Sequence, residues 1–98
     1  MDTEELTGMA EEGDVDAQYM LAVVYYEGRF GTEVNLRQAI ACYTKAAEQN
    51  DSASQYALAE IYCGQNDMVN ARIWAGKAVE NGHAITSKCL HDLGFIHP

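Results

Sequence analysis

Apolar positions recur with helical spacing in the stretch from Leu36 to Asp51, LRQAIACYTKAAEQND. Steps of three and four residues place these side chains on one stripe of a helix. The members of the stripe are Leu36, Ala39, Ile40, Tyr43, Ala46 and Ala47. Asn35 is a good N-cap with Gln38 three residues later, and Asn50 can take the left-handed conformation that ends a helix. The pattern therefore predicts a helix whose small side chains allow neighbouring helices to approach closely.

Similar signals flank this stretch on both sides. Asp2, Asp14, Asp51 and Asp67 each precede a run with helical features, and Gly or Asn follows most of these runs. The further helices predicted in this way cover residues 3–12, 15–27, 52–63, 68–81 and 86–95. No strand pattern is visible. We therefore expect one all-α domain over residues 1–98, built of five to six antiparallel helices with short connections.

A unit of two helices occurs twice. The segment AQYMLAVVYY from Ala17 aligns with SQYALAEIYC from Ser54. The segment RQAIACYTKAAEQND from Arg37 aligns with VNARIWAGKAVENGH from Val69. A period in the thirties with two helices per unit predicts a stacked helical array, in which each unit covers the apolar face of its neighbour.

These repeated residues resemble the Sel-one-like repeat (SLR), a member of the tetratricopeptide (TPR) superfamily. The family pattern is matched in the first unit by Ala17, Leu21, Tyr25, Gly28, Ala39, Tyr43, Lys45, Ala46 and Ala47. In the second unit it is matched by Leu58, Tyr62, Ala71, Trp74, Lys77 and Ala78. Ala22 and Ala59 replace a family glycine, and the first loop carries about one extra residue near Phe30. The resemblance implies a short α-α superhelix that acts as a protein-interaction module.

The charge of the chain narrows the choice of partners. The net charge is −9 with only six Lys and Arg residues, which argues against direct binding of nucleic acid or of anionic membranes. The charge favours a basic protein or peptide partner, although an acidic surface also serves solubility alone.

The cysteines and the N-terminal residues predict a cytoplasmic protein. Cys42, Cys63 and Cys89 are odd in number and widely spaced, so we expect free and mostly packed thiols in a reducing compartment. A reactive thiol at Cys63 stays open as an alternative. The first residues are too acidic for a signal peptide, and the longest apolar run, Tyr19 to Tyr26, is too short to cross a membrane.

The resemblance also indicates which residues meet a partner. In this superfamily the first helix of each unit lines the concave groove, and Leu21, Leu58 and Leu90 are the expected inward positions. The neighbouring residues expected to face the groove are Asp16, Tyr19, Val23, Tyr26, Tyr56, Glu60, Lys88 and Asp92. The alternative for both tyrosines is that they pack between helices. Because only Lys88 is basic, we do not expect the carboxylate clamp that some TPR domains use.

Nothing in the chain has the spacing of a catalytic or metal site. Cys89 and His91 are two residues apart and would lie on different sides of a helix, and His83 is interpreted as a replacement for an Asp cap. We find no nucleophile–base spacing, phosphate loop or nucleotide motif. We therefore expect no enzyme activity, no metal and no cofactor.

Two functions remain for such a chain. It is either an adaptor that holds a peptide or helix in its groove, or a small acidic inhibitor or immunity-type protein. The inhibitor would neutralise a basic enzyme, for example one that binds nucleic acid, through its negative surface. The C-terminal helix adds the expectation of a homodimer or partner contact through its apolar residues, Leu90, Leu93, Phe95 and Ile96.

Overall fold

The computed structural model of the chain describes residues 2–94, and within them it holds six helices and no strand. The helices are α1 (Thr3–Glu11), α2 (Val15–Glu27), α3 (Leu36–Glu48), α4 (Ser52–Gly64), α5 (Met68–Glu80) and α6 (Lys88–Asp92). The predicted all-α class is confirmed, and the first five helices begin at the predicted residues.

Side-chain caps fix the starts of these five helices. In each case a carboxylate or amide oxygen accepts the backbone N–H three residues further on, at 2.9–3.2 Å. The capping residues are Asp2, Asp14, Asn35, Asp51 and Asp67. Such a bond satisfies an N–H group that has no partner inside the helix, which is why these residue types mark helix starts in the sequence.

The chain divides into two compact units, of which the first ends at Gln49 and the second begins at Asn50. In the first unit α2 packs against both α1 and α3. Ala22 on α2 and Ala39 and Ala46 on α3 are fully buried, so the helix pair meets through its smallest side chains. The other buried apolar residues of this unit are Leu6, Ala10, Ala17, Leu21, Val24, Cys42, Tyr43 and Ala47.

In the second unit α4 packs against α5 and α6. The buried cluster that these helices enclose contains Ala59, Cys63, Ala71, Ala75, Ile85 and Leu90. Leu58 and Leu90 are fully buried and Leu21 of the first unit is 5% exposed, so the predicted inward positions of all three leucines are confirmed.

A buried glutamine ties the two long helices together in each unit. The Gln18 amide donates to the carbonyl of Ala10 at 3.0 Å, and its oxygen accepts from the Gln49 amide at 2.9 Å. The equivalent Gln55 accepts from Asn81 at 2.9 Å. Gln49 follows directly on α3, and Asn81 follows directly on α5. A buried amide needs hydrogen-bond partners. The Gln18–Gln49 contact therefore holds the end of α3 against α2, and the Gln55–Asn81 contact holds the end of α5 against α4.

The expectation of three free thiols is wrong. Cys63 at the end of α4 forms a disulfide with Cys89 on α6, and Cys42 is the free and buried cysteine. Burial of Ile85 and Leu90 draws α6 onto α4 and leaves the two cysteine Cα atoms 6.5 Å apart, within the range that a disulfide spans. The separation of 26 residues gave no sign of this pairing.

The last helix is shorter than predicted, because α6 begins at Lys88 and not at Thr86. The backbone N–H of Thr86 donates to the Tyr56 hydroxyl at 3.3 Å, and this contact with α4 holds the residue outside the helix. Gly94 has φ +95°, which ends the helical path. Phe95, the predicted end, lies outside the described residues.

The interpretation of His83 as a helix cap is also wrong. The N-cap position of α6 is occupied by Ser87. The backbone N–H of His83 donates to the carbonyl of Ala78 at 2.9 Å, and its ring centroid lies 4.5 Å from that of Tyr56. His83 is therefore an aromatic neighbour of α4.

Candidate functional site

The four candidate residues of the first unit all lie on α2. Their spacing, from Asp16 through Tyr19 and Val23 to Tyr26, follows one side of the helix. Asp16 and Tyr26 are exposed, whereas Tyr19 and Val23 are half-buried. The Tyr19 ring meets the Tyr43 ring of α3 edge-on, with centroids 5.7 Å apart. Tyr19 thus packs between helices and still reaches the surface.

Tyr19 and Val23 belong to the wall of an apolar pocket of about 200 Å³. The pocket lies between α1, α2 and the loop that follows α2. Its lining residues are Leu6, Tyr19, Met20, Val23, Val24, Arg29 and Phe30. Sequence reasoning missed Leu6, Met20 and Phe30 as site residues, although the extra loop residue near Phe30 was visible in the repeat alignment.

The loop from Gly28 to Asn35 is fastened to α2 at both ends. The N–H groups of Gly28 and Arg29 donate to the Val24 carbonyl at 2.8 and 3.1 Å, and Asn35 N–H donates to the Tyr25 carbonyl at 2.8 Å. Gly28 has φ +71°, and a Cβ atom there would lie only 3.0 Å from the Val34 side chain. The loop therefore packs closely on a position that only glycine fits.

Phe30 projects from this fastened loop. Its side chain is 69% exposed and its φ is +56°, in the left-handed region that bulky residues avoid. The other described residues besides glycine with positive φ are Asn50 and Asn66, and asparagine tolerates this conformation well. Phe30 is therefore held in a strained and exposed position at the rim of the pocket.

Carboxylates surround this part of the molecule. Residues 2–28 contain eight Asp and Glu side chains and no Lys or Arg. The first cation along the chain, Arg29, is paired with Glu27, with Arg29 Nε 2.7 Å from Glu27 Oε1. Counted to Gln49, the first unit carries a net charge of −7 and the second one of −2.

The candidate residues of the second unit lie on α4 and α6. Tyr56 is half-buried, and its hydroxyl lies 2.9 Å from Thr86 Oγ1. Glu60 is exposed one turn further along α4. Partial burial raises the pKa of Glu60, and the nearby His83 acts in the opposite direction.

Lys88 and Asp92 form an exposed ion pair across one turn of α6, with Nζ 3.5 Å from Oδ2. Pairs of this kind contribute little to stability, because both charges remain in water. Both side chains stay accessible to a partner, but each weakens the attraction that the other exerts on a charged partner.

Two segments of the chain, residues 15–51 and 52–83, match the family model of the Sel1 repeat. The chain belongs to the Sel1-repeat family. The first Sel1 repeat covers α2 and α3, and the second covers α4 and α5. The expected SLR membership is therefore confirmed.

The relatives of this Sel1-repeat chain include the Sel1-repeat-containing protein YjcO of Escherichia coli K12. The two are 36% identical over 56 residues, which is 57% of this chain and 24% of the relative. The uncharacterized proteins YjcO of Escherichia coli O157:H7 and Shigella flexneri match to the same extent. The match thus spans about a quarter of these relatives. No solved structure matches the chain at a significant level.

Sel1 repeats indicate a protein-interaction module. The pocket is placed partly outside the matched repeats, since Leu6 comes from α1. A Sel1-repeat pattern alone therefore does not define the pocket.

A second pocket of the first unit contains the free thiol of Cys42. It has a volume of about 210 Å³ and a mixed lining that includes Thr7, Glu11, Gln38 and Lys45. Burial raises the pKa of the Cys42 thiol, and the smaller effect of Lys45 lowers it. The thiol thus stays protonated at neutral pH and is a poor nucleophile.

Within residues 2–94, no group of three or more His, Cys, Asp or Glu side chains is arranged to hold a metal ion. In the same part of the chain, no helix combines the length and the apolar character needed to cross a membrane.

Proposed function

We propose that this Sel1-repeat chain binds a basic protein or peptide partner. In the first unit the binding surface comprises the exposed side of α2, with Asp16, Tyr19, Val23 and Tyr26. The observation that carries the proposal is an apolar pocket on a unit with a net charge of −7. Aromatic side chains with charged neighbours are typical of residues that dominate binding energy.

The second unit contributes a surface of its own, with Tyr56 and Glu60 on α4 and Lys88 and Asp92 on α6. Tyr56 supplies a partly exposed ring that Thr86 and His83 hold in place. Because Lys88 and Asp92 already form a pair, we assign them a minor part in attracting a charged partner.

The concentration of carboxylates also favours a second candidate function. In this alternative the chain is a small inhibitor or immunity-type protein, and its acidic first unit covers the basic, nucleic-acid-binding surface of an enzyme. Eight carboxylates between Asp2 and Gly28, with no Lys or Arg among them, would imitate the charge of phosphates. Either function requires a basic partner and no direct contact with nucleic acid.

The cysteines no longer favour the predicted cytoplasmic location, because two of the three are paired in a disulfide. A disulfide between Cys63 and Cys89 is typical of an oxidising environment.

The predicted homodimer or partner contact through the C-terminal helix stays a prediction. Leu90 is fully buried inside the second unit, which leaves it no part in that contact, and Phe95 and Ile96 lie outside the described residues.

Salt dependence of the affinity separates the two functions. Residues 1–98 with a tag are used to capture the partner, and the dissociation constant is then measured from low to high salt. An inhibitor that acts through charge should lose affinity steeply, because the Debye length falls to about 10 Å at 0.1 M salt. An adaptor with apolar anchors should lose less affinity, because salt screens its charge contacts but not its apolar contacts. A chain that captures no partner in any fraction would contradict the proposed function.

A further inference from the structure

We infer that the apolar pocket of the first unit receives one bulky apolar side chain of a partner segment whose neighbouring residues are Lys or Arg. This inference rests on the proposed function and names the site and the chemistry of the segment. The pocket is the one lined by Leu6, Tyr19, Met20, Val23, Val24, Arg29 and Phe30.

The volume of the pocket selects the occupant. Pockets for small molecules and cofactors usually have about 300–1,000 Å³, whereas this one has about 200 Å³. The polar side-chain groups of its lining residues are the Tyr19 hydroxyl and the Arg29 guanidinium. Arg29 Nε donates a hydrogen bond to Glu27 Oε1 at 2.7 Å. The space and the lining therefore suit a single large side chain, such as Leu, Phe or Trp.

Phe30 and Met20 add exposed apolar surface to the pocket. Phe30 is 69% exposed and Met20 is 49% exposed. Three backbone hydrogen bonds fasten the loop that carries Phe30 to α2, so the ring is presented without a large cost in conformational entropy on binding. The strained φ of Phe30 fits this role, because strained residues cluster at functional sites.

The second unit provides an internal comparison. Its corresponding connection, between α4 and α5, consists of Gln65, Asn66 and Asp67 and contains no aromatic residue. Asn66 supplies the positive φ there at little cost. The longer loop with an exposed phenylalanine is thus a special feature of the first unit and is not needed to form a helix pair of this kind.

The charges around the pocket select the flanking residues of the segment. Asp16 precedes Met20 by one turn of α2, on the same side of the helix. On α1, Glu5 stands next to Leu6. A partner segment with Lys or Arg beside its apolar anchor would meet these carboxylates. A second copy of this chain would bring a net charge of −9 to the same surface and be repelled.

The test uses a synthetic amphipathic helix with leucines and one tryptophan on one side and lysines on the other. The affinity of this peptide for the chain of residues 1–98 is measured by fluorescence anisotropy. We expect Phe30→Gly and Met20→Ser to weaken binding by about tenfold or more, as expected for anchor contacts. Val69→Ser, which removes a 71% exposed side chain of α5, serves as the matched control and should change nothing.

Two further sets of variants distinguish the contribution of charge to the affinity from that of apolar contact. Replacement of the peptide lysines by glutamates should abolish binding, and so should replacement of its tryptophan and leucines by serines. On the protein, the double variant Glu5→Gln and Asp16→Asn should weaken binding and flatten its salt dependence. Glu80→Gln on α5 is the matched control for the loss of charge.

Stability shows whether Phe30 has a structural role instead. Phe30→Gly should unfold at about the same temperature as the wild type, because relief of the strain at positive φ offsets the greater freedom of glycine in the unfolded chain. A clear loss of stability would assign Phe30 to the fold and overturn the inference. No peptide binding, or equal binding by Phe30→Gly and the wild type, would overturn it as well.

Capture of the natural partner distinguishes this inference from the proposed function. If Phe30→Gly retains the partner that the wild type captures, the pocket is not the site, while the binding function stands. If Phe30→Gly loses that partner and Val69→Ser retains it, both are supported. If the wild type captures no partner, the proposed function fails, and the peptide result alone decides whether the pocket has the inferred chemistry.

Discussion

At the scale of single residues, buried polar groups with complete hydrogen bonds hold each unit together. Gln18 is 5% exposed and Gln55 is 1% exposed, although glutamine is usually a surface residue. Both were visible in the sequence as repeated letters beside a tyrosine. Their function was not visible, because their partners Gln49 and Asn81 lie about 30 residues away in the chain.

Replacement of Gln18 by leucine should destabilise the chain. The change removes the buried amide that donates to the Ala10 carbonyl and accepts from Gln49, while the Gly13 N–H still donates to that carbonyl at 3.1 Å. We expect a loss of about 1–3 kcal/mol in the free energy of unfolding, measured in urea. Gln38→Leu, at an exposed position on the first turn of α3, is the control. Equal stability of the two variants would contradict the assigned role.

The number of reactive thiols tests the state of the three cysteines. Under native conditions a thiol reagent should label almost nothing, since Cys42 is buried and its pKa is raised. Unfolding without reductant should expose one thiol, and unfolding after reduction should expose three. Three thiols without reductant would show that Cys63 and Cys89 are not paired.

Glu60 should make a small pH-dependent contribution. Its pKa is raised in the folded chain, so its contribution to stability is present below the unfolded value of about 4.3 and is lost as the pH rises through the folded value. Glu60→Gln should therefore be slightly more stable than the wild type at neutral pH and equal to it in acid. Thermal unfolding across this pH range tests the sign, and a less stable variant at neutral pH would contradict it.

At the scale of helices, the sequence predicts the starts well and the last helix poorly. At five helix starts, the side chain of the capping residue accepts the backbone N–H three residues later. Because both groups are close in the sequence, the sequence alone indicates these starts. The start of α6 depends on the contact between Thr86 and Tyr56, which lie 30 residues apart. The pairing of Cys63 with Cys89 depends on the same packing, so neither feature could be predicted from local pattern.

The disulfide should hold α6 in place. A helix of five residues is not stable alone in water, and here a cross-link and a few buried side chains keep it on α4. For a loop of 26 residues the chain-entropy estimate is about 3.5 kcal/mol. Cys89→Ser should therefore lower the unfolding temperature clearly and speed hydrogen exchange around Leu90. Cys42→Ser is the control for loss of a sulfur, and equal exchange rates at Leu90 in both variants would count against this role.

At the scale of the whole molecule, two similar units carry different surfaces. The repeat pattern predicted the all-α class and the Sel1-repeat family from residues that pack, such as Leu21, Ala39 and Leu58. The candidate site was predicted less completely. Tyr19 and Val23 came from their repeat positions, whereas Phe30 and Leu6 did not, because they belong to a loop insertion and to a helix that precedes the repeats.

We expect the partner of this chain to contact the first unit on the side of the pocket. A photoreactive phenylalanine analogue placed at Met20 of the full chain tests it directly, with the same analogue at Val69 as control. Both positions are exposed, so neither substitution should disturb the fold. After irradiation in native lysate, we expect a cross-link to the captured partner from position 20 and none from position 69. No cross-link at position 20, or an equal one at position 69, would contradict the account.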